Sequence, residues 1–201
     1  MNVILDYDVG NLASVMRGFE RVGIKSVISK DPKVIRQATS LVLPGVGAFN
    51  EAMRSLKASG LIPLIMEHIE NKKPLLGICL GMQLLYSASE ENGYTEGLGI
   101  LDGVIRPLKV SLKVPHMGWN QLKFNQTNTV MTKYIREDDA VYFVHAFFAD
   151  THFDQVIAYA DYEIRIPAII QKDNVYATQF HPEKSGLVGQ NILKAYGELI
   201  R

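Results

Sequence analysis

The chain carries a single cysteine, and the residues around it are suited to chemistry. Cys79 lies in Gly77-Ile78-Cys79-Leu80-Gly81, where the apolar run Leu75-Leu76-Gly77-Ile78 gives way to a helical pattern near Leu80. A Gly-x-nucleophile-x-Gly segment makes a sharp strand-to-helix turn, because glycine removes Cβ atoms that such a turn would press together. The turn lifts the nucleophile to the carboxyl end of a sheet, where open α/β folds place their ligands. Backbone N–H groups at the start of the helix favour a thiolate and can bind a developing oxyanion. A lone cysteine in an apolar run otherwise packs as a small hydrophobe. The two glycines and the strand-to-helix position favour the nucleophile.

A thiol nucleophile needs a base, and five histidines are available. His181 lies in Gln179-Phe180-His181-Pro182-Glu183-Lys184-Ser185, past a strand pattern and before the last helical one. Loops at strand ends commonly hold catalytic side chains. Glu183 is two residues on, so an extended segment aims both side chains the same way. The carboxylate can then hold the imidazole by its second nitrogen, which completes nucleophile, base and orienter. Such His-x-Glu pairs also arise by chance as helix caps. A zinc deaminase would need further cysteine ligands, which are absent, so neither a metal nor a cofactor is expected. His68 is expected exposed on a helix and His152 solvated in a loop. His116 and His145 stay open to functional roles.

The elements that must position these groups alternate in the first half. Val3-Ile4-Leu5, Ser26-Val27-Ile28, Leu41-Val42-Leu43 and Leu75–Ile78 read as short buried strands. Helical patterns separate them: one capped by Asn11, with Leu12, Val15, Met16, Phe19 and Val22 on a stripe, one opened by Asp31-Pro32, then Met53–Leu56 and Leu61–Ile69. Apolar strands separated by helices imply parallel pairing in an open, doubly wound sheet. The second half predicts strands near Val104–Leu108, Gln121–Phe124, Val141–Phe148, Val156–Tyr159, Ala168–Gln171 and Val175–Gln179. Their short spacings suggest antiparallel hairpins added to the main sheet. A last helix is expected from about Ser185 to Leu199.

The 201 residues suffice for one domain with its own core, expected over 1–201. Apolar residues are 47% and charged residues 21%, an ordinary globular composition. Twenty-one basic residues balance twenty-one acidic ones, so neither nucleic acid nor a membrane surface is the expected partner. No apolar run has the length of a membrane span, and the N-terminus lacks a signal-peptide pattern. One cysteine excludes an internal disulfide. A cytoplasmic location is expected.

Three blocks, Leu43-Pro44-Gly45-Val46-Gly47-Ala48-Phe49, Gly77–Gln83 and Phe180–Ser185, resemble the signatures of triad glutamine amidotransferases. Their order and spacing match across nearly the whole chain. Pro115-His116-Met117-Gly118-Trp119-Asn120 and Tyr142-Phe143-Val144-His145 narrow the resemblance to glutaminase subunits of imidazole glycerol phosphate synthases. It implies a flavodoxin-like α/β sheet and a thioester mechanism at Cys79, with His181 moving protons and Glu183 orienting it. The oxyanion donors implied are Leu80 N–H and an N–H of the Gly45-Val46-Gly47 loop, at Val46. Gly47, Gln83, Glu91 and His145 match glutamine-binding positions. A (β/α)8-barrel cyclase subunit is the implied partner in a heterodimer, with Met117, Trp119 and Lys184 at the interface. Met117 and Trp119 have core packing as their plain alternative. The chain ends after its last helix, so a separate chain is expected to use the ammonia. Similar subunits carry a hydroxyl residue after the Val-His pair, where this chain has Ala146. Two alternatives remain: an amidotransferase serving another acceptor, and a catalytically dead regulatory protein. The first usually has an alanine where this chain has Leu80, or another oxyanion loop. The second expects a missing triad member.

Overall fold

The structure is a computed structural model that describes residues 1–200. Its first half runs β1 (Asn2–Leu5), α1 (Leu12–Arg21), β2 (Ser26–Ser29), α2 (Pro32–Arg36), β3 (Ser40–Leu43), α3 (Phe49–Ala58), α4 (Ile62–Glu70), β4 (Leu75–Ile78) and α5 (Leu80–Leu84). Local chemistry starts these helices as expected. Asn11 accepts a hydrogen bond from Ser14 N–H at 3.3 Å. Asp31 accepts from Lys33 N–H at 2.8 Å, and Pro32 fills the first turn of α2.

The second half is strand-rich: β5 (Tyr86–Ser89), β6 (Thr95–Glu96), β7 (Leu101–Pro107), β8 (His116–Gln121), β9 (Lys123–Phe124), β10 (Ala140–His145), β11 (Phe147–Asp150), β12 (Val156–Tyr162), β13 (Ile164–Lys172) and β14 (Val175–Thr178). α6 (Gly186–Gly197) follows. Among the described residues, no helix is long and apolar enough to cross a membrane.

The main sheet has the order β2-β1-β3-β4-β14-β13-β12-β9. Its first five strands are parallel, in the flavodoxin-like pattern, and β13, β12 and β9 extend it antiparallel. Alternation along each parallel strand divides the core. Val3, Leu5, Leu41, Leu43 and Leu75 face α2, α3, α4 and α5, whereas Ile4, Val42, Leu76 and Ile78 face α1 and α6. Burial on both faces is why these strands read as unbroken apolar runs.

Three expectations need correction. The added strands do not all join the main sheet: β8 and β10 form a two-stranded ribbon, and β11-β7-β5-β6 a separate four-stranded sheet. The runs expected as single strands over 121–124 and 141–148 are each broken. Ala146 separates β10, on the ribbon, from β11, in the other sheet, while buried Leu122 separates β8 from β9. His68 is buried, not exposed: its Nε2 lies 3.0 Å from Pro74 O, and burial lowers its pKa from 6.5 to about 4. His152 is exposed as expected.

Candidate active site

Strand register assembles the site. β3, β4 and β14 are neighbours, with Leu43 opposite Gly77 and Ile78 opposite Thr178. The segments leaving their carboxyl ends therefore meet: Pro44–Gly47, Cys79–Gln83 and Gln179–Glu183. Cys79 N–H donates to Thr178 O at 2.7 Å, which ties the turn to β14.

Cys79 itself has φ 54° and ψ −112°, an uncommon backbone for a residue with a Cβ. Its surroundings enforce that strain. A Cβ on Gly81 would lie 1.8 Å from Leu43 O, and one on Gly77 would lie 2.9 Å from Met82 Cα. The two flanking glycines thus let α5 pack straight onto the ends of β3 and β4. Gly45 is equally confined, its virtual Cβ 2.9 Å from Gly81 N and from the Tyr7 hydroxyl. Buried Tyr7 donates to Pro44 O at 2.5 Å and so pins the loop at its base.

His181 Nδ1 lies 2.8 Å from Glu183 Oε1, and both side chains are almost fully buried. Cys79 is close enough to the imidazole to act on its pKa. Burial by itself lowers the His181 pKa. The hydrogen bonds and charges of Cys79 and Glu183 outweigh it and raise the value from 6.5 to about 9. α1 packs directly on the carboxylate: a Cβ on Gly18 would come within 2.9 Å of Glu183 Cβ. Glu183 thus holds His181, and His181 neighbours Cys79, with the imidazole held as imidazolium at neutral pH. That arrangement suits attack by sulfur and proton donation to a leaving nitrogen.

A cavity of about 430 Å³ opens beside Cys79. Val46, Gly47, Leu80, Gln83, Glu91 and His145 line it, as does Lys184. Every residue assigned from sequence to the oxyanion and to glutamine thus reaches one space. Leu80 opens α5, so its N–H has no intrahelical acceptor. Glu91 spends one oxygen on Phe49 N–H at 2.9 Å, which caps α3. Gln83 spends its amide nitrogen on Phe147 O at 3.1 Å and on Gln179 Oε1 at 3.0 Å.

His145, a glutamine-binding position by the resemblance, engages both ring nitrogens within the protein. Its Nδ1 lies 2.9 Å from Phe147 O and its Nε2 lies 3.0 Å from His116 Nδ1. A carbonyl only accepts, so Nδ1 carries the proton and Nε2 accepts from His116. His116 Nε2 in turn lies 3.2 Å from the Asn120 amide nitrogen, which donates to it. Both rings are therefore neutral. Burial agrees, lowering His145 to about 3 and His116 to about 4. His116 is also stacked between Phe143 and Tyr162. With both ring nitrogens engaged, His145 shapes the wall and has no free ring nitrogen for a ligand.

Met117 and Trp119 are each 59% exposed, which rules out core packing for them. Trp119 lies edge-on to Tyr142 and against Gly186 at the start of α6. Ala146 also lines the cavity. Sequence reasoning missed Tyr7, the Phe147 carbonyl and Gln179. A signal existed for Gln179: a polar residue inside an otherwise buried run needs an internal partner.

The profile of the family described as "Glutamine amidotransferase class-I" matches residues 3–196. An imidazole glycerol phosphate synthase subunit HisH of Lactococcus lactis is 50% identical over 199 residues, covering 98% of both chains. The same-named subunit of Caldanaerobacter subterraneus is 48% identical, again over 98% of both. Among solved structures, a glutamine amidotransferase superposes with TM-score 0.76 at 18% identity over 98% of each chain. PurLQS from Thermotoga maritima gives TM-score 0.75 at 17% identity, over 98% of this chain and 96% of that one. These two show the shared fold. Fold, site and relatives converge, and the chain belongs to the class-I glutamine amidotransferases, in the branch of the imidazole glycerol phosphate synthase HisH subunits.

Proposed function

We propose that the whole chain acts as one glutaminase domain with Cys79, His181 and Glu183 as its catalytic triad. The hydrogen bond between His181 and Glu183, and the closeness of His181 to Cys79, which lines the cavity, carry the reading. The Cys79 sulfur attacks the side-chain carboxamide carbon of glutamine, its proton having passed to His181. Leu80 N–H and an N–H at Val46 receive the oxyanion. The C–N bond then breaks, and His181 gives its proton to the leaving nitrogen, which departs as ammonia. Water attacks the thioester with His181 as base, which releases glutamate and restores the thiol. Glu183 keeps the imidazole aligned throughout. Gln83 Oε1, the free oxygen of Glu91 and the backbone at Gly47 hold glutamine, and His145 forms the wall.

The ammonia passes to a (β/α)8-barrel cyclase subunit in a heterodimer. The relatives are named as subunits of imidazole glycerol phosphate synthase, which supports a partner subunit in that enzyme. There it serves formation of imidazole glycerol phosphate and aminoimidazole carboxamide ribonucleotide in histidine biosynthesis, in the cytoplasm. Free ammonia would be protonated in water, so a sealed passage is required. Met117 and Trp119 dock the partner as exposed apolar anchors, and Lys184 pairs with a partner carboxylate.

Two measurements test this. Cys79→Ala should abolish glutamine hydrolysis while the barrel subunit still co-purifies; surviving hydrolysis would remove Cys79 from the mechanism. The isolated chain should hydrolyse glutamine poorly until that subunit and its nucleotide are added. Full activity alone would contradict control by the partner.

A further inference from the structure

Cys79 has a second polar neighbour besides His181. The register that sets Ile78 opposite Thr178 brings the residues that follow them, Cys79 and Gln179, to the same end of the sheet. Gln179 is completely buried, and its backbone N–H is fixed to Ala168 O at 3.0 Å. Its Nε2 lies 3.9 Å from Cys79 Sγ, within reach of an N–H···S hydrogen bond.

The amide could face either way but for its other partners. Phe147 O can only accept, so the Gln83 amino group must point to it at 3.1 Å. The same amino group faces the far end of the Gln179 carboxamide at 3.0 Å. That end must then be the oxygen, because two amino groups do not hydrogen-bond. The Gln179 NH2 is thereby turned onto the sulfur. A main-chain carbonyl, which cannot invert, fixes the direction of the whole relay from Phe147 through Gln83 and Gln179 to Cys79.

We propose that Gln179 is a positioning residue whose carboxamide, oriented by Gln83 and Phe147 O, hydrogen-bonds the Cys79 sulfur, favours its thiolate and aims it into the cavity. The inference rests on the reading of Cys79 as nucleophile. His181 supplies a charged donor on one side of the sulfur, and Gln179 a neutral one on another. A hydrogen bond to a charged atom contributes more than one between neutral groups, so losing this donor should be visible. Gln83 lines the substrate cavity and also orients this donor, so it links glutamine's site to the state of the sulfur.

The single cysteine makes the test clean. The rate of alkylation of the full chain by iodoacetamide, followed from acid to alkaline pH, reports this sulfur alone. Gln179→Met keeps the length of the side chain and removes the donor. It should move the midpoint of the alkylation profile to higher pH and slow alkylation at neutral pH by about tenfold. The kcat for glutamine should fall by a similar factor, with KM within about twofold, since Gln179 does not line the cavity. Gln83→Met should shift the alkylation profile in the same direction by less. An unchanged profile and kcat in folded Gln179→Met would overturn the proposal and leave Cys79 as nucleophile. If that variant does not fold, the Gln83→Met profile decides: a shift supports the relay and none overturns it. Hydrolysis that persists in Cys79→Ala would instead sink the nucleophile reading, a separate outcome.

Discussion

The two walls of the cavity are built on opposite terms. On the nucleophile wall, Gly77, Gly81 and Gly45 leave no room for a methyl group, and Cys79 is held at positive φ by neighbours that cannot move. On the facing wall, Val46 is 44% exposed, and Gly47, at φ 96°, has nothing within 4 Å of a virtual Cβ. One wall is fixed by packing and the other is held only at its base, by Tyr7 on Pro44. Cys79 is thus held strained by packing, whereas the Val46–Gly47 peptide has room to change its orientation.

The largest effect should come from closing the fixed wall. Gly81→Ala drives a Cβ to 1.8 Å from Leu43 O, and no flexible side chain stands there to yield. The loss of stability should exceed about 4 kcal/mol, seen as insoluble protein or a collapsed thermal transition. Near-wild-type melting would mean that the turn is less confined than its packing indicates. Next in size is Glu183→Gln, which preserves shape but favours the wrong imidazole tautomer. The kcat should fall by roughly 10³-fold or more with little change in KM.

The open wall should respond in the reverse sense, with activity moving more than stability. Gly47→Ala meets no atom, yet a Cβ at positive φ costs about 1–2 kcal/mol. We expect kcat to fall about tenfold while Tm moves by only about 2–4 °C per kcal/mol. An unchanged kcat would break the contrast between the walls. The smallest effect is on pH dependence. The His181 pKa is raised from 6.5 to about 9, so the stability it lends is full below 6.5 and is lost as pH rises through about 9. His116 and His145 are lowered to about 4 and about 3, so their share is lost as pH falls from 6.5 through those values. Thermal melts should show both limbs, with the acid one reduced in His116→Gln. A flat acid side would show that the neutral pair is not what burial makes it.

Sequence patterns reached the fixed wall more fully than the rest. Buried strands, glycines flanking a cysteine and a histidine two residues from a glutamate are local signals, and they named Cys79, which lines the cavity, and the hydrogen-bonded pair His181 and Glu183. The second half was less legible because pairing there is non-local. Nothing near Ala146 announces that the chain changes sheets, and nothing near Tyr86 announces a strand, since Tyr86-Ser87-Ala88-Ser89 is not apolar. His68 was misplaced because its burial depends on a carbonyl at Pro74 that only the fold brings near. Gln179 escaped for the same reason: its role exists only through the register of β4 with β14.

That register has a consequence for the newly made protein. β14 lies in the interior of the sheet, between β4 and β13, yet β4 is about a hundred residues earlier in the chain. A nascent polypeptide on the ribosome has its cysteine long before it has His181 and Glu183, and it cannot finish the sheet until they emerge. At about 5–20 residues per second, that interval lasts several seconds. Long-range pairing of this kind also slows folding. On the proposed triad, the sulfur has no base throughout that interval, so an unfinished chain cannot hydrolyse glutamine. Translation order itself keeps the proposed glutaminase silent until β14 and the segment after it have emerged.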